Sequence, residues 1–217
     1  MNNDGYITIL STVNWLVVTT LKINGSVRAV SFTSDSGFVL ASGSDGDVYR
    51  FDIRMISSGG RGNSKGVGCV SMFKNQDGMT TSSLSFSVNG DMAVGSESGV
   101  VNIYKESSAT AAAFSKGNSN FGRERTPDKT IMNLTSSVDN LKFNSTGEIL
   151  AISTKRERDK LKLLHFPSTT VFQNWPTSKT PLGYVWSLDF SRNSGFMAVG
   201  NDKGKCLLYR LSHYDSI

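Results

Sequence analysis

Short apolar stretches separated by polar turns recur along this chain. Three such stretches form a unit, and this unit occurs four times. Each unit opens with a stretch in which apolar and polar residues alternate and which ends in Phe. These opening stretches are Val27–Phe32, Ser83–Phe86, Val138–Phe143 and Val185–Phe190. Alternation with period two is typical of a strand that buries one face.

Two further stretches follow in every unit. The second is almost wholly apolar and small, which indicates a strand buried on both faces. Its copies are Phe38–Gly43, Met92–Gly95, Ile149–Ser153 and Phe196–Gly200. The third stretches are Val48–Asp52, Val101–Tyr104, Leu161–Leu164 and Cys206–Tyr209. Turns such as Asp45-Gly46 supply the positive φ that tight hairpins need.

A fourth, more variable strand fits between the units. We place these strands at Val17–Ile23, Cys69–Phe73, Lys129–Leu134 and Val171–Trp175. Four strands per unit, repeated with a period of about 50 residues, describe the blades of a WD-repeat β-propeller. An ordinary β-sandwich does not explain why one sequence pattern recurs four times.

The number of units predicts an incomplete propeller. Tyr6–Leu10 resembles the third strand of an earlier unit, and no fourth strand follows Leu211. We therefore expect an all-β chain in which residues 1–24 are the remnant of a preceding blade and residues 25–217 form four blades. Flexible insertions are expected at 57–66 and 105–128, which are rich in small and polar residues. On this interpretation the chain is the C-terminal piece of a larger propeller.

Composition adds limits on compartment and partners. The 217 residues carry a net charge of +5, which suits acidic partners or nucleic acid without proving either. The two cysteines, Cys69 and Cys206, cannot form a disulfide framework, so a reducing compartment is the simplest interpretation. Both occupy apolar strand positions, where a thiol behaves as a small hydrophobe. The pattern contains neither a signal peptide nor a membrane-spanning helix.

Few side chains suited to catalysis are present, and we expect neither an enzyme nor a bound cofactor or metal. His165 and His213 are the only imidazoles, and no Gly-x-Ser-x-Gly motif accompanies them. The glycine-rich stretch 60–68 fails as a phosphate-binding loop because its order is Ser64-Lys65-Gly66, whereas such a loop needs Gly-Lys-Ser/Thr.

A basic hairpin tip is the first candidate contact for a partner or RNA. Its cations lie on both sides of the turn between two strands of the third unit, and they are Lys155, Arg156, Arg158, Lys160 and Lys162. Such a tip could contact phosphates. The alternative is a charged tip that only keeps the hairpin solvated, since Glu157 and Asp159 dilute the positive field.

The stretch Phe172–Gly183 is the second candidate. Trp175-Pro176 and Thr180-Pro181 predict an extended connection between two blades. Trp175 and Lys179 are candidate contacts here, with the alternative that Trp175 only packs over the seam between blades.

Several phrases resemble the U3 small nucleolar RNA-associated protein 18 family, and the most specific is Asn174–Gly183. Others are Ile131–Thr135, Leu141–Phe143, Gly200–Gly204, Leu207–Tyr209, Gly25–Arg28 and Gly99–Tyr104. The resemblance covers the chain outside the two insertions. It departs from the repeat consensus because no Trp-Asp dipeptide is present, and Phe51-Asp52 is the nearest equivalent.

The resemblance implies a non-enzymatic scaffold of the small-subunit processome in the nucleolus, which supports pre-rRNA processing and 18S rRNA maturation. Implied neighbours are other WD-repeat processome subunits, with U3 small nucleolar RNA and pre-rRNA in the same particle. The family's N-terminal extension, associated with recruiting the exosome's helicase, has no counterpart in this sequence, and that role is not carried over.

Three other classes of function make different demands. A generic WD-repeat adaptor of another complex would keep the blades without needing the Asn174–Gly183 phrase. A propeller hydrolase would need a cluster of acid, base or metal ligands at the central channel. A direct RNA binder would show a broad basic face with exposed aromatic side chains, which one hairpin does not supply.

Overall fold

A computed structural model describes residues 4–33, 36–54, 69–76, 80–107, 122–177 and 180–214. These residues form eighteen strands and one short 3-10 helix, Ser212–Tyr214. In chain order the strands are β1 Tyr6–Leu10, β2 Val17–Lys22, β3 Val27–Phe32, β4 Phe38–Gly43, β5 Asp47–Asp52, β6 Cys69–Asn75, β7 Thr81–Phe86, β8 Met92–Ser96, β9 Val101–Tyr104, β10 Arg123–Arg125, β11 Lys129–Ile131, β12 Asn140–Phe143, β13 Ile149–Ser153, β14 Leu161–His165, β15 Thr170–Val171, β16 Val185–Phe190, β17 Phe196–Asn201 and β18 Cys206–Arg210.

The strands form five separate sheets that follow one another along the chain. Sheet 1 is β1-β2, sheet 2 is β10-β6-β5-β4-β3, sheet 3 is β11-β9-β8-β7, sheet 4 is β12-β13-β14-β15 and sheet 5 is β16-β17-β18. All pairings are antiparallel except that of β10 with β6. Among the described residues the sheets do not close into a ring. The prediction of an all-β chain of repeated, incomplete propeller sheets is therefore confirmed.

The second strand of each unit is the centre of the packing. Strands β8 and β13 are buried at every position, and β4 at every position but its first. Side chains from the two faces of such a strand belong to different apolar clusters: Leu150 and Ile152 pack towards sheet 3, whereas Ile149 and Ala151 pack towards sheet 5. The wholly apolar pattern thus reflects a neighbour on each side.

We call the first strand of each unit, β3, β7, β12 and β16, the inner strand. Small polar side chains of the inner strands hydrogen-bond across the seams between sheets. Examples are Thr81 Oγ1 to the Gly43 carbonyl (2.9 Å), Ser83 Oγ to the Val138 carbonyl (2.7 Å), the Phe143 N–H to Ser85 Oγ (3.0 Å) and Asn140 Nδ2 to the Val185 carbonyl (3.4 Å). The inner strands therefore join adjacent sheets by polar contacts as well as by apolar packing.

Three of the four inner strands share one irregularity. The pairing register shifts near the start of β3, β7 and β16, between Val27 and Ala29, between Thr81 and Ser83 and between Val185 and Ser187. Each shift leaves one extra residue in the inner strand, as in a β-bulge. In sheet 5 the extra residue is Trp186.

Two local expectations need correction. Strand β10 lies inside the stretch 105–128, so the expectation of an irregular loop is wrong for Arg123–Arg125. The fourth strand of sheet 4 is only Thr170–Val171, and Phe172–Trp175 lie outside it. After β18 the described chain forms the helix Ser212–Tyr214 and adds no fourth strand to sheet 5, in agreement with the sequence pattern. The insertion 57–66 lies outside the described residues, and the division at residue 24 stays a prediction.

Strand β10 ties two sheets together. The chain leaves sheet 3 after β9, adds β10 to the edge of sheet 2 and returns to sheet 3 as β11. At the end of β10 the buried Arg125 places its guanidinium 5.0 Å from the ring centroid of Tyr104 and 5.6 Å from that of Phe73. Burial lowers the pKa of Arg125.

Both ends of the series leave apolar surface uncovered. At one end Phe32 is 57% exposed, because it faces the side on which sheet 1 contributes only two strands. At the other end Leu208 is 66% exposed on the outer face of sheet 5, and β18, which pairs with β17 along one edge, has no partner along its other edge among the described residues. Unpaired edges beside apolar faces promote association between chains.

A pair of adjacent substitutions in β18 tests this reading of sheet 5. Leu208→Glu changes the open face and should reduce self-association of the 217-residue chain with little loss of stability. Leu207→Glu changes the face that packs against the core shared with sheet 4 and should cost at least about 2 kcal/mol of unfolding free energy. Light scattering after size-exclusion chromatography and urea denaturation measure the two effects. Equal destabilisation by both variants would contradict the assignment of the faces.

Candidate functional site: a basic surface over sheets 4 and 5

The basic turn 154–160, between β13 and β14, is fixed to the protein at its first residues. The Lys155 N–H donates to Asp139 Oδ2 at 2.7 Å, and Thr154 Oγ1 donates to the same oxygen at 3.2 Å. Thr154 Oγ1 in turn accepts the Arg156 N–H at 3.1 Å. The turn therefore begins in a defined conformation, which fixes the backbone positions of its first cations.

The other end of the turn is held by Asp159. This residue has a φ of 56°, a left-handed conformation that Asp tolerates better than most residues. Its Oδ1 accepts the N–H groups of Leu182 (2.7 Å) and Gly183 (2.9 Å), and its own N–H donates to the Gly183 carbonyl at 2.9 Å. Asp159 thus fastens the turn of sheet 4 to the entrance of sheet 5.

Glu157 also faces the protein. Thr135 Oγ1 donates to Glu157 Oε1 at 3.1 Å, and Lys160 Nζ lies 3.7 Å from Oε2. Hydrogen bonds from Ser136 and then from Thr135 hold the pKa of Glu157 below its ordinary value. The acidic residues of the turn are therefore engaged with their own protein.

The cations of the turn reach the solvent. Arg156, Arg158 and Lys160 are exposed, and Lys155 is half-buried. Lys155 Nζ lies 5.4 Å from the ring centroid of Trp186, the bulged residue of β16, and Trp186 itself is 56% exposed. A cation at this distance from an indole face is attracted by the ring.

A second basic turn lies beside the first. Asn201 Oδ1 accepts the N–H groups of Lys203 (3.1 Å) and Lys205 (3.0 Å), and both lysine side chains are exposed. Asp202 Oδ1 accepts the Tyr184 N–H at 3.1 Å, and Asn201 Nδ2 donates to the Leu182 carbonyl at 3.2 Å.

The segment Leu182–Tyr184 thus contacts both turns. Gly183, between them, has a φ of 75°, a left-handed conformation that favours glycine. Lysines 203 and 205 and the bulged Trp186 therefore extend the basic turn of sheet 4 across sheet 5.

The remaining predicted contacts lie elsewhere. Trp175 packs against the core of sheets 4 and 5, with its ring centroid 5.1 Å from that of Tyr209. Lys162 is half-buried within β14, opposite Ile152. Lys179 lies outside the described residues. A contact role for these three residues stays a prediction.

Other chemistry finds little support on this surface. No group of three or more His, Cys, Asp or Glu that could hold a metal occurs in the described ranges. His165 Nδ1 lies 2.7 Å from Ser168 Oγ in an exposed turn, where Ser168 also contacts Thr170. Cys206 is exposed, so the expectation of a packed thiol is wrong there, because the outer face of sheet 5 is uncovered.

No helix in the described part of the chain is long and apolar enough to cross a membrane.

Comparison with known proteins shows what this chain is similar to. The family model described as "WD domain, G-beta repeat" matches residues 15–52. U3 small nucleolar RNA-associated protein 18 homologues are 42% identical over 217 residues in Arabidopsis thaliana and 40% identical over 212 residues in Homo sapiens. They cover 100% and 97% of this chain, which spans 36% and 34% of theirs. The Saccharomyces cerevisiae protein is 34% identical over 226 residues, or 98% of this chain and 36% of its own.

The resemblance to U3 small nucleolar RNA-associated protein 18 is confirmed. The WD-repeat assignment is confirmed as well. The chain spans about a third of the length of these curated relatives.

Sequence reasoning missed three members of the basic surface. Lys203 and Lys205 occupy the same turn of the repeat as Arg156 and Arg158, between the second and third strands. That equivalence was visible in the sequence and would have found them. Trp186 gave no such signal, because it stands in an alternating strand and only the register shift turns it outward.

Substitutions at Asp159 test how the turn is fixed. Asp159→Ala removes the acceptor of two backbone N–H groups and should cost about 1–3 kcal/mol of unfolding free energy. Asp159→Asn keeps a side-chain oxygen and tolerates the left-handed conformation, so it should restore most of that loss. Arg158→Ala, an exposed neighbour, is the control and should stay within about 0.5 kcal/mol. If Asp159→Ala is as stable as the control, the turn is held by other contacts.

Proposed function

We propose that this chain is a non-catalytic WD-repeat scaffold of the nucleolar small-subunit processome, where it supports pre-rRNA processing and 18S rRNA maturation. The observation that carries the proposal is the similarity along the whole chain to proteins named for their association with U3 small nucleolar RNA. A family likeness confined to the repeat positions would support only a generic adaptor.

The geometry suits a scaffold. Successive sheets present turns of fixed conformation along one end of the strands, and those of sheets 4 and 5 carry exposed cations without a cluster of groups suited to catalysis. A surface of this kind binds partners by shape and charge.

The partners proposed on this basis are other WD-repeat subunits of the processome. U3 small nucleolar RNA and pre-rRNA lie in the same particle, and the compartment is the nucleolus within the nucleus. The uncovered apolar faces of sheets 1, 2 and 5 supply surface for protein neighbours, whereas the basic surface suits an anionic one.

Depletion of the protein tests the proposal. Precursors of 18S rRNA should accumulate and mature 18S rRNA should fall, while the large-subunit rRNA is processed normally. Northern blotting of both rRNA branches, with re-expression of the protein as the control, gives the readout. Normal 18S maturation after complete depletion would refute the proposal. Purification of the tagged protein should recover U3 RNA, and recovery of an unrelated complex would favour the generic adaptor.

A further inference from the structure

The basic surface presents an exposed aromatic ring, the indole of Trp186. A face that served only to be charged and solvated would not require one. Trp186 is 56% exposed, although Trp is among the side chains that gain most from burial. Its exposure is not explained by the open outer face of sheet 5, because its ring lies beside Lys155 of sheet 4. Trp186 is the extra residue of the bulge near the start of β16, and the segment that contacts both basic turns lies directly before this strand.

Lys155 lies against the indole, and the two turns that contact the segment before β16 carry further cations. Lys155, Arg156 and Arg158 come from the turn of sheet 4, and Lys203 and Lys205 come from the turn of sheet 5. We call these five residues together with Trp186 the Trp186 surface. The segment Leu182–Tyr184 hydrogen-bonds to both turns and holds them next to one another.

The carboxylates of the region accept hydrogen bonds from the protein's own backbone. Asp139 binds the Lys155 N–H, Asp159 binds the N–H groups of Leu182 and Gly183, and Asp202 binds the Tyr184 N–H. The exposed lysine and arginine side chains of the two turns are the groups that attract an anion.

We infer that the Trp186 surface binds single-stranded RNA, with one base stacked on the indole and neighbouring phosphates on the lysines and arginines. The combination of a positively charged surface with an exposed aromatic ring is typical of proteins that bind single strands without reading sequence. An acidic peptide would use the cations but would leave the indole without a matching group. This inference rests on the proposed function, since it names RNA as the partner of that scaffold.

Binding of a fluorescein-labelled 12-nucleotide oligouridine to the 217-residue chain, followed by fluorescence anisotropy, tests the inference. Trp186→Ala should weaken binding about 5- to 150-fold, the range that loss of one stacked base produces. Trp186→Phe keeps an aromatic face and should restore most of the affinity. The slope of log affinity against log salt is negative. Replacing Lys155, Arg156 and Lys203 together by Ala should make it less steep by about 2.

Matched controls use cations at the opposite end of the strands. Arg192 in the turn after β16 and Lys129 at the start of β11 are both exposed, so Arg192→Ala and Lys129→Ala remove the same kind of charge elsewhere. Both should bind the oligonucleotide as the parent chain does. Circular dichroism melting of every variant checks that folding is retained. If Trp186→Ala does not fold, Trp186→Phe and the triple variant at Lys155, Arg156 and Lys203 carry the test.

Three results would overturn the inference. They are absence of oligouridine binding at low salt, equal loss of affinity in the control variants, and displacement of the RNA by an equal concentration of a 12-residue polyglutamate, which would assign the surface to an acidic protein segment. The outcome is separable from that of the proposed function. A chain that fails to bind oligouridine while its depletion still blocks 18S maturation refutes the RNA surface alone.

Discussion

The need of each sheet for a neighbour on both faces governs this structure. The second strand of each unit has no polar side to offer to water, as the fully buried β8 and β13 demonstrate. Because such a strand cannot be stable in a sheet that stands alone, the units must stack, and stability comes from the seams as much as from the sheets. The less buried β17 of sheet 5, which has a neighbour on one face only, illustrates the same rule.

Stacking also explains the low share of charged residues, 19% of the chain. The seams are lined by hydroxyl and amide groups, such as Ser83, Ser85 and Asn140, that satisfy backbone groups of the next sheet. A short hydroxyl side chain can bridge two closely packed strands without the desolvation cost of a charge. Charge is then concentrated at the turns, where it is available to partners.

Much of the fold could be predicted from sequence because the same phrase is repeated. Four copies identify the position of each strand better than local propensity does, and Phe143 or Gly95 alone would have indicated little. Strand β10 could not be predicted, because three residues of mixed charge carry no period and their pairing with β6 depends on a distant edge. The basic turn was visible as a charge run. Its extension by Lys203, Lys205 and Trp186 was not predicted, since proximity between two units is a property of the stacked sheets.

The excursion of the chain through β10 has a mechanical consequence. Sheets 2 and 3 share backbone hydrogen bonds made by one continuous segment, which leaves sheet 3 and returns to it. The seams between sheets 3 and 4 and between sheets 4 and 5 rely, within the described strands, on side chains and turn contacts. If the series changes its curvature to fit a larger assembly, sheets 2 and 3 will move as one rigid body. Bending will be concentrated at the two later seams, the last of which lies directly beneath Trp186.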